Sequence, residues 1–166
     1  SMHWGIEYDI GEYVECFHPT TAQIQMAELL TELGADVIIG THPHVLEGVE
    51  WKTASDGHKT LVVYSLGNLV SNMRFDKTVL GGILTLDIIK DKDYTYIDGA
   101  QIYPVVCHYS TAYTGHKIYF LRDYTEELAK THGTCQHQNE IPFCRETLLL
   151  YYENNIPPEF RPEHYA

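Results

Sequence analysis

The sequence predicts an α/β (α+β) fold with a small helical appendage at its C-terminal end, and three observations predict this class. A capped amphipathic helix near the N-terminus leads directly into a short β-branched strand. Further strand-like segments continue through the middle of the chain. The last third differs, because polar loop residues there separate two short helical segments. Strands combined with helices in this order are typical of α/β and α+β domains.

The first predicted helix runs from Pro19 to Leu33. Thr20 followed by Gln23 forms a capping box, in which each side chain satisfies a backbone donor that the helix start leaves unpaired. Gly34 suits the left-handed position that follows a helix. The apolar residues fall on one face at helical spacing and so predict its buried side: Ala22, Met26, Leu29, Leu30 and Leu33.

Strand-like segments occupy the centre of the chain. The β-branched run Ala35–Gly40 is typical of a short buried strand. Lys59–Tyr64 and Leu80–Ile89 are predicted as two further strands. Tyr94–Tyr109 is predicted as a strand pair with Asp98-Gly99 as its turn.

The last third predicts two short helices and a tail. Asp123–His132 is predicted as a helix closed by Gly133. After the polar loop 134–141, Pro142 at the first helical position begins a second helix that ends near Asn154. Prolines predict that the remaining tail is extended or disordered: Pro157, Pro158 and Pro162.

Length and charge narrow the function classes. A chain of 166 residues is expected to hold about one domain. We place this domain at residues 1–109 and the helical appendage and extended tail at 110–166. With 11 Lys and Arg against 23 Asp and Glu, the net charge is −12, which makes nucleic acid and a membrane surface poor partners. Ser1-Met2 is typical of an expression scar, so we expect a soluble fragment of a longer protein.

The four cysteines leave three alternatives open. Cys16, Cys107, Cys135 and Cys144 permit two disulfides in three pairings. A zinc cluster is a second alternative, since histidines lie near two of these cysteines: His132 and His137. Their spacing fits no standard zinc pattern, and free or buried thiols are the interpretation we favour.

The most specific site-like feature is the loop Gly40-Thr41-His42-Pro43-His44, which follows the first predicted strand. Such a loop lies at the carboxyl edge of a sheet, where α/β sites usually form. Histidines two residues apart in an extended loop point to opposite sides, which suits two adjacent metal ions. Neutral imidazole is the commonest nitrogen ligand for zinc, manganese and iron. The alternative is a merely polar loop.

Two further segments contain candidate site residues. In His3-Trp4-Gly5-Ile6-Glu7-Tyr8, His3 is a candidate nitrogen ligand, and Glu7 is a candidate ligand or hydrogen-bond acceptor. The alternative is an incidental histidine at the end of a strand. Taken alone, this segment favours that alternative. In the run 64–69, Asn68 either orients a ligand side chain or caps a turn, which is the commoner role. Ser65 is a poor nucleophile candidate because the glycines of a nucleophile elbow are missing.

Taken in order, these motifs closely resemble one bacterial family. They are HWGIEY, PTTAQIQMAELL, GADVIIGTHPHVLEGVE and VVYSLGNLVSN, and together they resemble the capsule-synthesis CapA family, also called poly-γ-glutamate biosynthesis proteins. The resemblance covers about residues 3–90, and 123–133 resembles the tail of firmicute members. Since that family is similar to calcineurin-like metallophosphoesterases, the resemblance implies the C-terminal half of a two-sheet sandwich flanked by helices.

The resemblance also implies a two-metal centre at one edge of the sandwich. Its metal ligands here would be His3, His42 and His44, with His3 and His42 sharing one metal ion and His44 binding the other. Glu7 and Asn68 match family positions near the pocket and, with His3, are the candidate catalytic residues. The implied cofactors are divalent manganese, zinc or iron, with two ions in the intact parent.

One departure from the metallophosphoesterase pattern limits what this chain is expected to do. The upstream Asp-x-His, Gly-Asp-x-x-Asp and Gly-Asn-His motifs do not occur before His42. Without the bridging carboxylate, the remaining histidines are expected to bind metal weakly. We therefore expect the chain alone to be catalytically inert.

The resemblance leaves two functions open for the parent protein. One is a two-metal phosphoesterase-like hydrolase that acts on an anionic polymer or a phosphoester. The other is a non-catalytic assembly, anchoring or export component of an envelope polyglutamate machine. Either would work with other capsule-synthesis components, and family members are often membrane-anchored or secreted and face outward. An exposed sheet edge also predicts a homodimer.

Overall fold

The computed structural model describes residues 1–7, 18–92, 94–136 and 143–166. Within these ranges the strands are β1 Met2–His3, β2 Val37–Thr41, β3 Val49–Thr53, β4 Lys59–Val63, β5 Leu80–Lys90, β6 Thr95–His108 and β7 Lys117–Phe120. The helices are α1 Thr21–Glu32, α2 Glu126–Lys130 and α3 Arg145–Asn155. Short 3₁₀ turns occur at Asp76–Val79, Leu121–Asp123, Gly133–Gln136 and Pro158–Phe160. The described elements confirm the predicted α/β (α+β) class.

The first sheet has the strand order β1-β2-β4-β3. Strands β1 and β4 both pair in parallel with β2, while β3 pairs with β4 in the antiparallel direction. Three neighbouring strands therefore end at the same edge of the sheet. The loops that follow β1, β2 and β4 meet there, as the position of the histidine loop predicted.

The second sheet is antiparallel and has the order β5-β6-β7. One isolated bridge joins Leu46 to Leu66, and another joins Gly67, which follows β4, to Gly81 at the start of β5. Gly81 and Gly82 leave room for this close approach, because a Cβ on Gly81 would lie 2.3 Å from the carbonyl oxygen of Asn68. The two sheets are thus joined directly beside the carboxyl edge of the first.

The apolar core lies on both faces of the first sheet because side chains alternate along its strands. On β4, Leu61 and Val63 belong to the large core that the sheet shares with β5, β6 and α3. Val62 points to the other face, where it packs with Ala27 of α1 and with Ile38. The order of layers is therefore α1, the first sheet, and then the second sheet with the C-terminal helices.

Helix α1 forms with the predicted caps but buries a different face. Thr20 and Gln23 make the reciprocal capping box, and Gly34 has φ +84°. The buried residues are Gln23, Ala27 and Thr31. The predicted apolar face instead contains exposed side chains: Ala22, Met26, Leu29 and Leu33. The reason is that Gln23 is tied by its side chain to buried Glu47, which fixes the rotation of the helix about its axis.

The prediction of a strand pair at Tyr94–Tyr109 was wrong. Thr95–His108 is one continuous strand that pairs with β5 along its length. The reversal occurs earlier, where the backbone N–H of Asp91 donates to the carbonyl of Tyr94. Gly99 has φ +60° opposite a shift in register between Thr85 and Asp87, so its left-handed backbone serves a β-bulge within the ladder.

The C-terminal third is also more ordered than predicted. Helix α2 ends at Lys130, and Gly133 begins a 3₁₀ turn in close contact with Tyr109 rather than closing the helix. Helix α3 begins at Arg145, and the predicted start at Pro142 lies outside the described residues. The tail contains a 3₁₀ turn whose Phe160 is 2% exposed, because it packs into the large core.

Strands β3 and β7 were not predicted. Both are short, with five residues in β3 and four in β7. Because β7 pairs with the end of β6, the second sheet extends across residue 110. Among the described cysteines, Cys107, Cys135 and Cys144 are free thiols, while Cys16 and His137 lie outside the described residues. Within the described ranges, no helix is long and apolar enough to cross a membrane.

Candidate metal site

The carboxyl edge of the first sheet brings the predicted site residues together. His3 ends β1, His42 and His44 follow β2, and Asn68 follows β4. Glu7 lies on the segment after β1 and reaches the same place, where its carboxylate is 3.3 Å from the imidazole of His44. His3 and Glu7 are exposed, whereas the other three side chains are partly buried.

Two pairs of the three histidine rings are close neighbours. The ring centres of His3 and His42 are 4.3 Å apart, and those of His42 and His44 are 6.4 Å apart. The ring of His42 is therefore closer to that of His3 than to that of His44. The implied pairing of His3 with His42 on one metal ion, with His44 on the other, stays a prediction.

Asn68 fixes which nitrogen of His44 carries the proton. Its Nδ2 atom donates to the carbonyl oxygens of His44 at 3.1 Å and of Thr78 at 2.9 Å. These two bonds set the orientation of the amide, so Oδ1 is the atom that faces His44 Nδ1 at 2.8 Å. Since Oδ1 only accepts hydrogen bonds, Nδ1 must donate. Asn68 thus orients His44 as well as completing its turn.

This arrangement directs the Nε2 atom of His44 toward Glu7. Nε2 lies 3.3 Å from Oε1 of Glu7. In neutral imidazole with its proton on Nδ1, Nε2 carries a lone pair, so two electron-rich atoms would face each other. The contact is favourable when a proton or a cation lies between them. The pair therefore has the donor chemistry of a cation site, with one imidazole nitrogen and one carboxylate oxygen.

The histidine loop has a strained backbone. His42 has φ +109° and His44 has φ +61°, in the left-handed half of the map that side chains with a Cβ rarely adopt. Backbone strain of this kind typically costs about 1–3 kcal/mol per residue and clusters at functional sites. The strain places the two imidazoles on either side of buried Pro43.

Gly40 and Trp4 hold the histidine loop against the sheet. The indole N–H of Trp4 donates to the carbonyl oxygen of Tyr64 at 2.8 Å, and the two rings stack at 5.9 Å. This contact crosses Gly40, where a Cβ would lie 1.9 Å from that oxygen and 2.2 Å from the indole nitrogen. Glycine is therefore required at the end of β2 by close packing.

A buried polar pair below the site was missed at the sequence level. Glu47 is 2% exposed, and its carboxylate accepts a 2.7 Å hydrogen bond from Gln23. Burial raises the pKa of Glu47 to about 7, although the Gln23 hydrogen bond opposes the rise. Gln23 also packs against Gly5 in the segment between His3 and Glu7. The signal was an acidic residue within the apolar run 45–49, three positions after His44.

The donor set fits the histidine portion of a metal centre. Imidazole and carboxylate ligands suit zinc, manganese and iron, and the three histidines and Glu7 offer such atoms at one edge. Across the described ranges, no group of three or more His, Cys, Asp or Glu side chains is arranged to hold a metal ion. The described residues thus offer single donor atoms and no closed coordination sphere.

Ser65 is structural. Its side chain is buried, and its hydroxyl accepts a 3.1 Å hydrogen bond from the backbone N–H of Gly67. Gly67 has φ +66°, so the serine stabilises the turn that presents Asn68.

Comparison with known proteins finds a family to which this N-terminal part is similar. Residues 1–73 match the family model described as bacterial capsule synthesis protein PGA_cap. These residues are therefore similar to that capsule synthesis family. The match contains every histidine of the candidate site as well as Glu7 and Asn68. No solved structure matches the chain.

Two curated relatives of this chain are both named CapA. The PGA biosynthesis protein CapA of Bacillus subtilis (strain 168) is 40% identical over 76 residues, which are 46% of this chain and 17% of that relative. The capsule biosynthesis protein CapA of Bacillus anthracis is 36% identical over 79 residues, which are 47% of this chain and 16% of that relative. The matched part is therefore about a sixth of each relative's length.

Proposed function

We propose that this chain carries the histidine portion of a divalent metal centre in a protein of capsular poly-γ-glutamate synthesis. The hydrogen bond from His44 Nδ1 to Asn68 carries the proposal, because it leaves Nε2 facing the carboxylate of Glu7. The adjacent rings of His3 and His42 supply two further nitrogen donors. All five residues lie in the part of the chain that matches the capsule synthesis family.

Each side chain has a stated role in this proposal. His3, His42 and His44 bind the ions, Asn68 holds the imidazole of His44 in one tautomer, and Glu7 accepts a proton or binds a cation beside Nε2. Bound manganese, zinc or iron would supply Lewis-acid stabilisation of negative charge during phosphoester-type hydrolysis. The described chain closes no full ligand set, so by itself it binds weakly and does not catalyse the reaction.

The intact parent is then a two-metal hydrolase at the bacterial cell envelope. Its substrate is an anionic polymer or a phosphoester. With a net charge of −12, this chain repels polyanions, so a cation between protein and substrate favours their contact. Other capsule-synthesis components are its partners.

Isothermal titration of the chain with Mn²⁺ or Zn²⁺ tests the proposal. We expect weak binding that is lost in the His42→Ala/His44→Ala variant and kept in His164→Ala, which removes an exposed histidine of the C-terminal tail. Equal binding by the double variant would show that the site assignment is wrong. Absence of binding to the unaltered chain would instead favour an assembly, anchoring or export role.

Catalysis by the fragment is tested separately with a chromogenic phosphodiester and added Mn²⁺. We expect no turnover above that of the double variant. Robust metal-dependent hydrolysis that depends on His42 and His44 would overturn the claim that the chain is inert alone.

A further inference from the structure

The C-terminal helix reaches the candidate site through the 3₁₀ turn Asp76–Val79, here called the Asp76 turn. Tyr151 of α3 donates its hydroxyl to Oδ2 of Asp76 at 2.7 Å, and both side chains are buried. The other carboxylate oxygen of Asp76 accepts the backbone N–H of Lys77 at 2.8 Å. One carboxylate therefore joins α3 to the backbone of the turn.

The opposite side of the Asp76 turn holds Asn68. The carbonyl oxygen of Thr78 accepts the Nδ2 atom of Asn68 at 2.9 Å. Thr78 is buried, and both its backbone N–H and its hydroxyl donate to the carbonyl of Phe75. Because the residue is held at several atoms, a displacement of the turn moves the acceptor that orients the Asn68 amide.

We infer that Tyr151 and Asp76 are positioning residues, which hold Asn68 Oδ1 against His44 Nδ1 and so keep His44 Nε2 free for a ligand. What binds Nε2 rests on the proposed function, but the location of the His44 proton is a property of this chain alone. Both residues lie outside the matched region 1–73, so the inference links the C-terminal third to the family site.

The tautomer of His44 gives a direct readout. Long-range ¹H–¹⁵N spectra of the full chain in EDTA, at about pH 8 where an ordinary histidine is neutral, distinguish the Nδ1–H from the Nε2–H form. Tyr151→Phe removes the hydroxyl that anchors Asp76. Loosening one net hydrogen bond is expected to lower the ratio of Nδ1–H to Nε2–H about fivefold.

A matched control comes from the adjacent tyrosine on the same helix. Tyr152 donates its hydroxyl to the carbonyl of Ile102 in β6 at 2.6 Å and is also buried. Tyr152→Phe thus loses a comparable buried hydrogen bond that leads away from the Asp76 turn. We expect this variant to lose stability while the His44 ring-nitrogen shifts stay unchanged.

The results separate the two claims. Unchanged His44 shifts in Tyr151→Phe, or equal changes in Tyr151→Phe and Tyr152→Phe, would overturn the inference. If Tyr151→Phe does not fold, Asp76→Ala gives the same test, since it removes the carboxylate that accepts both hydrogen bonds. Asn68→Ala must alter the His44 shifts. If it does not, the site geometry itself is wrong, and metal titration then judges the proposed function independently.

Discussion

Individual residues of the histidine loop combine a strained backbone with partly exposed imidazole side chains. His42 and His44 adopt positive φ values that a glycine would adopt without a Cβ penalty. Neither side chain is needed to fill a core, since both are only partly buried. Residues kept in a costly conformation for their side-chain chemistry are typical of functional sites.

Glycine at position 42 tests this strain directly. We expect His42→Gly to be more stable than His42→Ala by about 1 kcal/mol, because only glycine adopts positive φ freely. Both variants lack the imidazole, so both should lose metal binding. Urea unfolding measures the difference, and equal free energies of unfolding in the two variants would contradict the strained loop.

A second prediction at the residue scale concerns Glu47 and the dependence of the free energy of unfolding on pH. In the folded chain burial raises its pKa to about 7 from an ordinary value of 4.5, so the folded state binds the proton more tightly. The stabilisation that comes from this tighter proton binding is present at low pH and is lost as the pH rises through 7. We expect Glu47→Gln to remove it, so that the variant loses about 2 kcal/mol relative to wild type on going from about pH 8 to about pH 5. Urea unfolding at the two pH values measures this change, and parallel pH profiles would argue against a protonated Glu47.

At the level of elements, the close packing of β1 against β2 places the first histidine. Gly40 leaves the gap through which Trp4 reaches the carbonyl of Tyr64. The position of the segment from β1 to Glu7 therefore depends on the absence of a Cβ atom at Gly40.

Alanine at position 40 should displace this segment. We expect Gly40→Ala to cost about 2–3 kcal/mol and to shift the indole N–H signal of Trp4, since the new methyl clashes with backbone. Gly34→Ala is the matched control, because Gly34 has positive φ but open space around it. It should cost about 1 kcal/mol and leave the Trp4 signal in place. An unshifted Trp4 signal in Gly40→Ala would contradict the packing.

Local signals predicted some elements, but tertiary contacts decided how those elements are oriented and paired. The capping box of α1 and the strand after Gly34 follow from short-range rules, and both are confirmed. The buried face of α1 does not, because the long-range Gln23–Glu47 hydrogen bond outweighs the exposure of Met26 and Leu29. Likewise, Gly99 has the positive φ of a turn residue but occupies a bulge, which depends on the register with β5.

The candidate site shows the same difference between what local sequence patterns predict and what long-range contacts determine. The order of strand, loop and histidines predicts the carboxyl edge, and parallel pairing of β1, β2 and β4 brings His3, His44 and Asn68 there. The sequence gives no sign of the contribution of Thr78 and Asp76. Thr78 acts through its backbone carbonyl, and Asp76 accepts a hydrogen bond from a residue 75 positions away.

At the scale of the whole molecule, a buried histidine makes the free energy of unfolding decrease at acidic pH. His132 is 0% exposed, accepts the N–H of Thr134 at Nδ1, and donates from Nε2 to the carbonyl of Cys107. Burial is the main reason that the pKa of His132 is lowered from 6.5 to about 4. The unfolded chain binds the proton more tightly, so the contribution of His132 is complete above pH 6.5 and falls as pH drops toward 4.

Removal of the His132 imidazole should weaken the dependence of the free energy of unfolding on acidic pH. Between about pH 7 and about pH 5, His132→Gln is expected to lose about 2 kcal/mol less stability than wild type, although it is less stable at both. Urea unfolding at the two pH values measures this. Identical slopes would mean that His132 is not held neutral by the fold.

The central claim is that the carboxyl edge of the first sheet forms the histidine portion of a metal centre. Paramagnetic broadening of histidine NMR signals by substoichiometric Mn²⁺ tests it most directly, because it locates the ion. We expect His3, His42 and His44 to broaden first, while His58 and His164 stay sharp. Broadening that is uniform, or that begins at acidic surface away from His42 and His44, would contradict the account.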